Sequence, residues 1–137
     1  MMSSTADLGP LHVVDYSPGV CNIGPAEIAR RRMAGHLGLI VSVAAFVALV
    51  ATGAPHWTRL IIVLPAGASA SGYLQAWFHF CAGFGSRGVY NFGPLGTVSE
   101  VAEPQARARD LAKSIRIGVA ALAIGAVVAI VAALLPI

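Results

Sequence analysis

The sequence predicts an all-α membrane protein with three transmembrane helices, and its composition and its apolar runs are the basis of that prediction. The chain has 137 residues, of which 57% are hydrophobic and only 11% are charged. Soluble domains usually carry about 25% charged residues. Three apolar runs are long enough to cross a bilayer, because about 20 helical residues span a ~30 Å hydrocarbon core. Transmembrane β-strands would need alternating apolar and polar residues, and the sequence lacks that pattern.

Two regions follow from this composition: we expect residues 1–24 to form an irregular cytoplasmic tail and residues 25–137 to form the transmembrane domain. The tail is rich in Gly, Pro and Ser. It has neither the charged start nor the continuous apolar core of a cleavable signal peptide. The first span is therefore expected to direct insertion as well.

The first helix is predicted to begin near Pro25 and to run unbroken into a span at about residues 37–54. Proline suits the first helical position, where its missing N–H costs nothing. Glu27 in the first turn complements the positive end of the helix dipole. The N-terminal part of this helix should therefore lie outside the membrane, and the same helix should then continue into the span.

The second span, at about residues 58–80, follows a tight turn with the sequence "GAPHW" (Gly53–Trp57). Trp57 is expected at the depth of the lipid headgroups, and the Arg59 side chain is expected to extend outward from the membrane. Pro65 interrupts the hydrogen-bond ladder and predicts a kink.

A loop rich in glycine and aromatic residues, roughly Cys81–Glu103, separates the second and third spans. Its glycines argue against a regular helix and permit backbone conformations with positive φ. We expect it to be ordered against Cys21–Pro25 by four residues, Phe84, Tyr90, Asn91 and Phe92. After Pro104 a helix-prone run should continue as one long helix into the third span, about residues 115–137.

Small residues recur at helical spacing in the second and third spans, and such residues let helices approach closely in lipid. The pattern predicts a bundle in which the second helix packs between the other two. The residues expected at these contacts are Ala68 and Gly72 in the second helix and Ala121, Gly125 and Ala129 in the third.

The basic residues predict the orientation. Eight of the nine Lys and Arg residues flank one side of the membrane, and only Arg59 flanks the other. The positive-inside rule then places the N-terminus and the long loop in the cytoplasm and the C-terminus outside. Six of the basic residues are expected to contact lipid headgroups, namely Arg30, Arg31, Arg32, Arg109, Lys113 and Arg116.

Cysteine and histidine residues near the inner face raise the possibility of a metal site. Cys21, His79 and Cys81, with His36 as a further candidate, would give mixed sulfur and nitrogen ligation suited to zinc or another thiophilic metal. His79 and Cys81 would diverge by about 200° on a continuous helix, so they meet only if that helix ends early. The alternatives are inert thiols and a histidine that, with Gln75 one turn earlier, faces into the bundle and forms hydrogen bonds. A disulfide is disfavoured in a reducing compartment.

Two segments carry a resemblance. "CNIGPAEIARRR" (Cys21–Arg32) and "LQAWFHFCAGFGSRGVYNFG" (Leu74–Gly93) resemble a group of small, uncharacterised bacterial integral membrane proteins. The resemblance implies a multi-pass protein of the bacterial inner membrane with three spans. It implies no activity.

The function classes are narrowed by what the spans lack. No Asp, Glu or Lys lies in the middle of a span, where ion-coupled transporters need such groups. Phosphate-binding, zinc-protease and nucleophile-elbow motifs are also missing. The sequence therefore favours a non-catalytic integral membrane protein, an accessory or structural subunit of a larger assembly. Its expected partners are the bilayer and other membrane subunits or further copies of itself, with no nucleic acid. The alternative is a metal- or redox-active membrane protein with a Cys/His site at the cytoplasmic face.

Overall fold

The computed structural model of the protein describes residues 16–137, which are mostly helical. The elements are α1 (Pro25–Ala51), a 3₁₀ segment (His56–Ile62), α2 (Val63–Phe78), α3 (Ala82–Arg87), β1 (Val89–Tyr90), β2 (Ser99–Glu100) and α4 (Pro104–Leu134). The two short strands pair as an antiparallel hairpin.

Within residues 16–137, three helical stretches are long and apolar enough to cross a membrane, as the sequence predicts. They are Pro25–Ala51, His56–Phe78 and Pro104–Leu134. The predicted start of the first helix at Pro25 is confirmed. The long final helix, which enters its apolar part without a break, is confirmed too.

Two tryptophans mark the ends of the second span. Trp57 is 72% exposed and Trp77 is 81% exposed. They stand twenty residues apart in the sequence, which corresponds to about 30 Å along a helix, the thickness of a hydrocarbon core. Exposed tryptophans at this separation are typical of the two interfacial belts of a membrane protein.

The second span changes helix type instead of running as one α-helix. It begins in the 3₁₀ conformation and becomes α-helical at Val63, two residues before Pro65. In a 3₁₀ helix each carbonyl bonds to an N–H three residues later. The turn before Pro65 therefore does not depend on the N–H that proline lacks.

Helix α2 packs between α1 and α4, and its backbone touches both. A Cβ added at Gly72 would lie 2.6 Å from the backbone nitrogen of Gly35 in α1. One turn away, the Ser69 hydroxyl donates to the carbonyl of Gly35 at 2.8 Å. On the other side, a Cβ at Gly125 of α4 would lie 2.8 Å from the Cα of Gly67. Neither seam has room for a methyl group.

Four of the five residues expected at helix contacts are buried, namely Gly72, Ala121, Gly125 and Ala129. Ala68 is exposed. The reason is that α2 presents Gly67 to one neighbour and Ser69 to the other, so the residue between them faces outward.

Arg59 departs from its expected outward orientation and is only 2% exposed. Its guanidinium donates to the carbonyls of Ala132 at 3.1 Å and Leu135 at 3.0 Å, and also to that of Ile137. It also lies over the Phe46 ring, 5.4 Å from the centroid. The last carbonyls of a helix lack partners within the helix and carry its negative dipole end, so they attract a cation. The C-terminal end of α4 therefore holds Arg59 inside the bundle.

The loop after the second span contains a regular element that the sequence analysis excluded. Helix α3 forms despite its glycines, because Cys81 stands at its N-cap and accepts from the N–H of Phe84 at 3.5 Å. It ends at Gly88, whose φ is +72°. Gly85 is required by packing, since a Cβ there would collide with the Ser114 hydroxyl of α4.

We expect Gly72→Ala to lower the thermal midpoint of unfolding in a mild detergent, because the added methyl group overpacks the α1–α2 seam at a cost of about 1–3 kcal/mol. Gly118→Ala is the matched control, since nothing lies within 4 Å of a Cβ at that position. The control should be neutral or slightly stabilising. Equal midpoints for the two variants would contradict backbone contact at Gly72.

Candidate functional site

One end of the bundle is covered by a structure that we call the cap, made of residues 16–24 and 79–103. Its segments are joined by backbone hydrogen bonds: Asn22 N–H donates to the His79 carbonyl at 3.1 Å, and Asn91 N–H donates to the Asn22 carbonyl at 3.0 Å. Gly24 N–H donates to the Asn91 carbonyl at 2.9 Å. Residues 16–24, which were expected to belong to an irregular tail, are therefore paired with the loop.

The Asn22 side chain fixes the exit of α2 against the start of α1. It is fully buried. Its Oδ1 accepts from the N–H of Cys81 at 2.7 Å, and its Nδ2 donates to the carbonyl of the same residue at 3.1 Å. A side-chain amide offers both an acceptor and donors, so it supplies a partner for the Cys81 N–H and a second partner for the Cys81 carbonyl, which also accepts from the Gly85 N–H at 2.9 Å.

A buried carboxylate and a half-buried guanidinium lie together beneath the cap. Glu27 is 1% exposed, and its Oε1 lies 3.4 Å from Nη2 of Arg31, one turn along α1. Its Oε2 accepts from Nδ2 of Asn91 at 3.2 Å. A buried carboxylate needs such partners, because its transfer out of water costs several kcal/mol (order of magnitude). The cap loop and α1 are thereby held together by charge as well as by backbone bonds.

Arg31 also reaches the sulfur of Cys81, which is buried. Its Nη2 donates to Sγ at 2.9 Å, and its guanidinium carbon lies 5.8 Å from the centre of the Phe84 ring. Arg31 was expected among the residues that contact lipid headgroups. The structure instead turns it inward, because Glu27 and Cys81 both lie within its reach.

A second buried carboxylate, Asp110 of α4, is fully enclosed. Its Oδ2 accepts from the Tyr16 hydroxyl and its Oδ1 from the Gly19 N–H, each at 2.7 Å. The Tyr16 ring stacks on Tyr90 with centroids 4.8 Å apart. Burial and the hydrogen bond to the carboxylate raise the pKa of Tyr16 well above its ordinary value. This cluster fastens residues 16–19 to α4.

The four residues expected to order the loop lie where the cap segments meet. Phe84 packs against Ile23, and the Tyr90 ring lies 6.0 Å from that of Phe92. Asn91 is buried and pairs with residue 23 in a short parallel bridge. It also binds its own loop, since Oδ1 accepts from Gly93 N–H at 2.9 Å and Nδ2 donates to the Pro94 carbonyl at 2.9 Å.

The residues proposed as metal ligands point in different directions. His79 is exposed and adopts a left-handed conformation with φ +54° at the end of α2, whereas Cys81, two residues later, faces Arg31. Cys21 lies near the Ile23 carbonyl, with its Sγ 3.7 Å from that oxygen. Within residues 16–137 no three His, Cys, Asp or Glu side chains are grouped so as to hold a metal ion. Helix α2 ends early, at Phe78, which was the condition for His79 and Cys81 to meet, but the two side chains lie in different environments.

The remaining predicted candidates have separate environments. The His36 Nδ1 lies 2.6 Å from the Tyr73 hydroxyl. Gln75 accepts from the Ala82 N–H at 2.8 Å through Oε1. Both cysteines are free thiols, and burial raises the pKa of Cys21 above its ordinary value. Cys21 therefore stays protonated at neutral pH and is a poor nucleophile.

The burial of these two carboxylates was not predicted, although the sequence contains an indication of each. Glu27 and Arg31 stand at i,i+4, the spacing of a helical ion pair. Asp110 extends the stripe of small residues in α4 backwards, since the buried positions of that helix run Ala106, Asp110, Ser114, Ile117, Ala121, Gly125, Ala129 and Ala132. An acidic residue in register with a packing stripe is a candidate for burial.

Comparison with known proteins adds no assignment, because no family model, no curated protein and no solved structure matches the chain. The chemistry of the cap is therefore assessed from its contacts. Glu27 beneath the cap binds the Asn91 amide within it, and the sulfur of Cys81 is covered by Arg31. This arrangement holds helices and loops together.

Replacement of Arg31 tests its contacts with Glu27 and Cys81. Arg31→Met would leave Glu27 buried without its cation, and we expect a loss of about 3–5 kcal/mol in the free energy of unfolding. Arg30→Met and Arg32→Met are matched controls because both arginines are exposed, and they should change stability by less than about 0.5 kcal/mol. Thermal unfolding in mild detergent measures the difference. If all three variants unfolded alike, Arg31 would not be an internal partner.

The raised pKa of Tyr16 predicts a loss of stability in alkali. The folded protein retains the phenol proton more tightly than the unfolded chain, whose tyrosine titrates near pH ~10. The contribution is therefore complete below about pH 10 and is lost as the pH rises above it. Tyr16→Phe should abolish this component and, by loss of a hydrogen bond, cost about 1 kcal/mol at neutral pH. Tyr90→Phe leaves the bond to Asp110 intact and should retain the alkaline decline. Unfolding midpoints measured from pH 7 to 11 compare the three proteins.

Proposed function

We propose that the protein is a small, non-catalytic integral membrane protein that acts as an accessory or structural subunit, with a transmembrane helix of another subunit packed between α1 and α4. The observation that carries the proposal is a groove of about 280 Å³ between these helices, at the end of the bundle away from the cap. It is lined by Leu39, Ser42, Val43, Phe46, Ile62, Val128, Val131, Ala132 and Leu135.

The spacing of the lining residues supports a helical occupant. On α1 they stand at positions 39, 42, 43 and 46; on α4 they stand at positions 128, 131 and 132, and Leu135 follows directly after the helix. Each set follows the i, i+3, i+4, i+7 pattern of one helical face. Two such faces side by side provide the holes into which the side chains of a further helix pack. A fourth helix there would complete a four-helix bundle.

The chemistry of the groove also suits a partner helix. In lipid, helices associate through close packing, and small residues at the interface favour it. Ser42 and Ala132 are buried at the base of the groove, and the Ser42 hydroxyl already donates to the Gly38 carbonyl at 2.7 Å. No polar group in this wall demands a polar partner, so an apolar helix satisfies it.

The cap supplies a second contact in this proposal. Its charged residues, Arg87, Glu100 and Glu103, are exposed, and so are the apolar Leu95 and Val98 of the hairpin connection. We place the cap in the cytoplasm of a bacterial inner membrane and the C-terminus outside. Support comes from the basic residues, eight of nine of which lie at the cap end of the sequence pattern. An assembly partner would then meet the protein both within the bilayer and at the cytoplasmic surface.

Photo-crosslinking in native membranes tests the proposed function. A photoreactive amino acid at Val43 or Val131, inside the groove, should give a discrete protein adduct. The same amino acid at Val41 or Leu122 should not, because these residues are exposed and do not line the groove.

The mass of the adduct and native mass spectrometry from mild detergent distinguish a different subunit from a second copy of this chain. A hetero-complex is the expected result. Unshifted monomer at the groove positions, or equal adducts at all four positions, would contradict the proposal.

A further inference from the structure

We propose that a cleft between α2 and α4, beside the cap, binds one anionic phospholipid. Its phosphate would lie among Arg109, Lys113 and Arg116, and an acyl chain would run along Phe78 and Ala120. This site shares no lining residue with the α1–α4 groove, which lies farther along α4, and it does not depend on the function proposed for that groove.

The cationic part of the cleft consists of three basic residues on one face of α4, which we call the ladder. Arg109, Lys113 and Arg116 stand at i, i+4 and i+7, so they cover about 10 Å along the helix. That length matches the headgroup layer, and Arg116 is the last charged residue of the chain. The ladder borders a pocket of about 220 Å³ that Pro18 and Gly19 of the cap close on the other side.

The apolar part begins where the ladder ends. A second pocket of about 180 Å³ is lined by Phe78, Lys113, Arg116, Ile117 and Ala120. Lys113 and Arg116 border both pockets, so the two are adjacent. The Lys113 ammonium lies 4.2 Å from the centre of the Phe78 ring, which holds it at the junction. The cations are complementary to the phosphate of a phospholipid, and the apolar pocket next to them is complementary to its acyl chain.

The charges around the cleft favour an anion. Asp110 is the acidic residue nearest the ladder in the sequence, but its carboxylate is fully buried and accepts from Tyr16 and Gly19. Each cation near a membrane surface strengthens binding to anionic lipid about fivefold. Arg30 and Arg32 of α1 are equally basic and exposed, yet they border neither pocket. They therefore provide an internal control for general surface attraction.

Native mass spectrometry of the protein in mild detergent, titrated with dioleoylphosphatidylglycerol or dioleoylphosphatidylcholine, tests the site. The wild type should bind one phosphatidylglycerol molecule more tightly than phosphatidylcholine. Lys113→Gln/Arg116→Gln should weaken phosphatidylglycerol binding about thirtyfold, which is the product of two cations at about fivefold each. Arg30→Gln/Arg32→Gln carries the same change in net charge and should bind as the wild type does. Equal loss in both double variants would overturn the proposal, because attraction would then be general.

A second pair of variants tests the acyl chain without altering charge. Ala120→Phe fills the apolar pocket and should weaken binding, whereas Ala123→Phe, on the lipid-facing surface outside it, should not. Soluble glycerol phosphate, added as competitor, should displace little phosphatidylglycerol, because it lacks the chain. Effective competition by glycerol phosphate, or normal binding by Ala120→Phe, would show a free phosphate site and would overturn the assignment to a phospholipid.

Discussion

The backbone contact of α2 with both of its neighbours is the constraint on which the other features depend. Lipid provides no hydrophobic drive that would press apolar helices together, so association rests on how closely they fit. Gly35 meets Gly72 on one side, and Gly67 meets Gly125 on the other. Because α2 occupies the centre, α1 and α4 are kept apart from each other. The groove between them at the end away from the cap follows from this spacing.

The cap adds polar interactions where water would otherwise reach the ends of the helices. Burial of Glu27 and Asp110 costs free energy, and each is compensated by partners from another segment of the chain. Glu27 binds Asn91 of the loop, and Asp110 binds Tyr16 near the start of the described chain. The two carboxylates therefore join segments that are distant in sequence. The exposed surface is basic at the cap end of the helices and apolar along their length. Such a surface suits contact with lipids and with other membrane proteins.

Much of the fold could be predicted from the sequence because its determinants are local. Long apolar runs indicate directly which segments are surrounded by lipid. Prolines at the first helical positions of α1 and α4 mark where these helices begin. Small residues at i,i+4 likewise identified three of the eight buried positions of α4, namely Ala121, Gly125 and Ala129. The prediction that Ala68 lies at a helix contact was wrong, because periodicity alone does not decide which of several neighbouring small residues faces another helix.

The cap could not be predicted in the same way, because its geometry is set by contacts between distant segments. The left-handed turn at His79 and the N-cap at Cys81 decide that one side chain points out and the other in. Neither conformation follows from residue type. Arg59 illustrates the same limit: its binding to the end of α4 depends on a helix that follows it by more than forty residues. Spacing rules describe neighbours along one helix, and these interactions join different ones.

The hydrogen bond between Arg31 and Cys81 crosses the boundary between α1 and the segment that follows α2. Displacement of α1 along its own axis by a single residue, about 1.5 Å, would disturb both the contact of Arg31 with Cys81 and that of Glu27 with Asn91, because both partners lie outside α1. Piston-like sliding of the first helix is thus opposed at its N-terminal end.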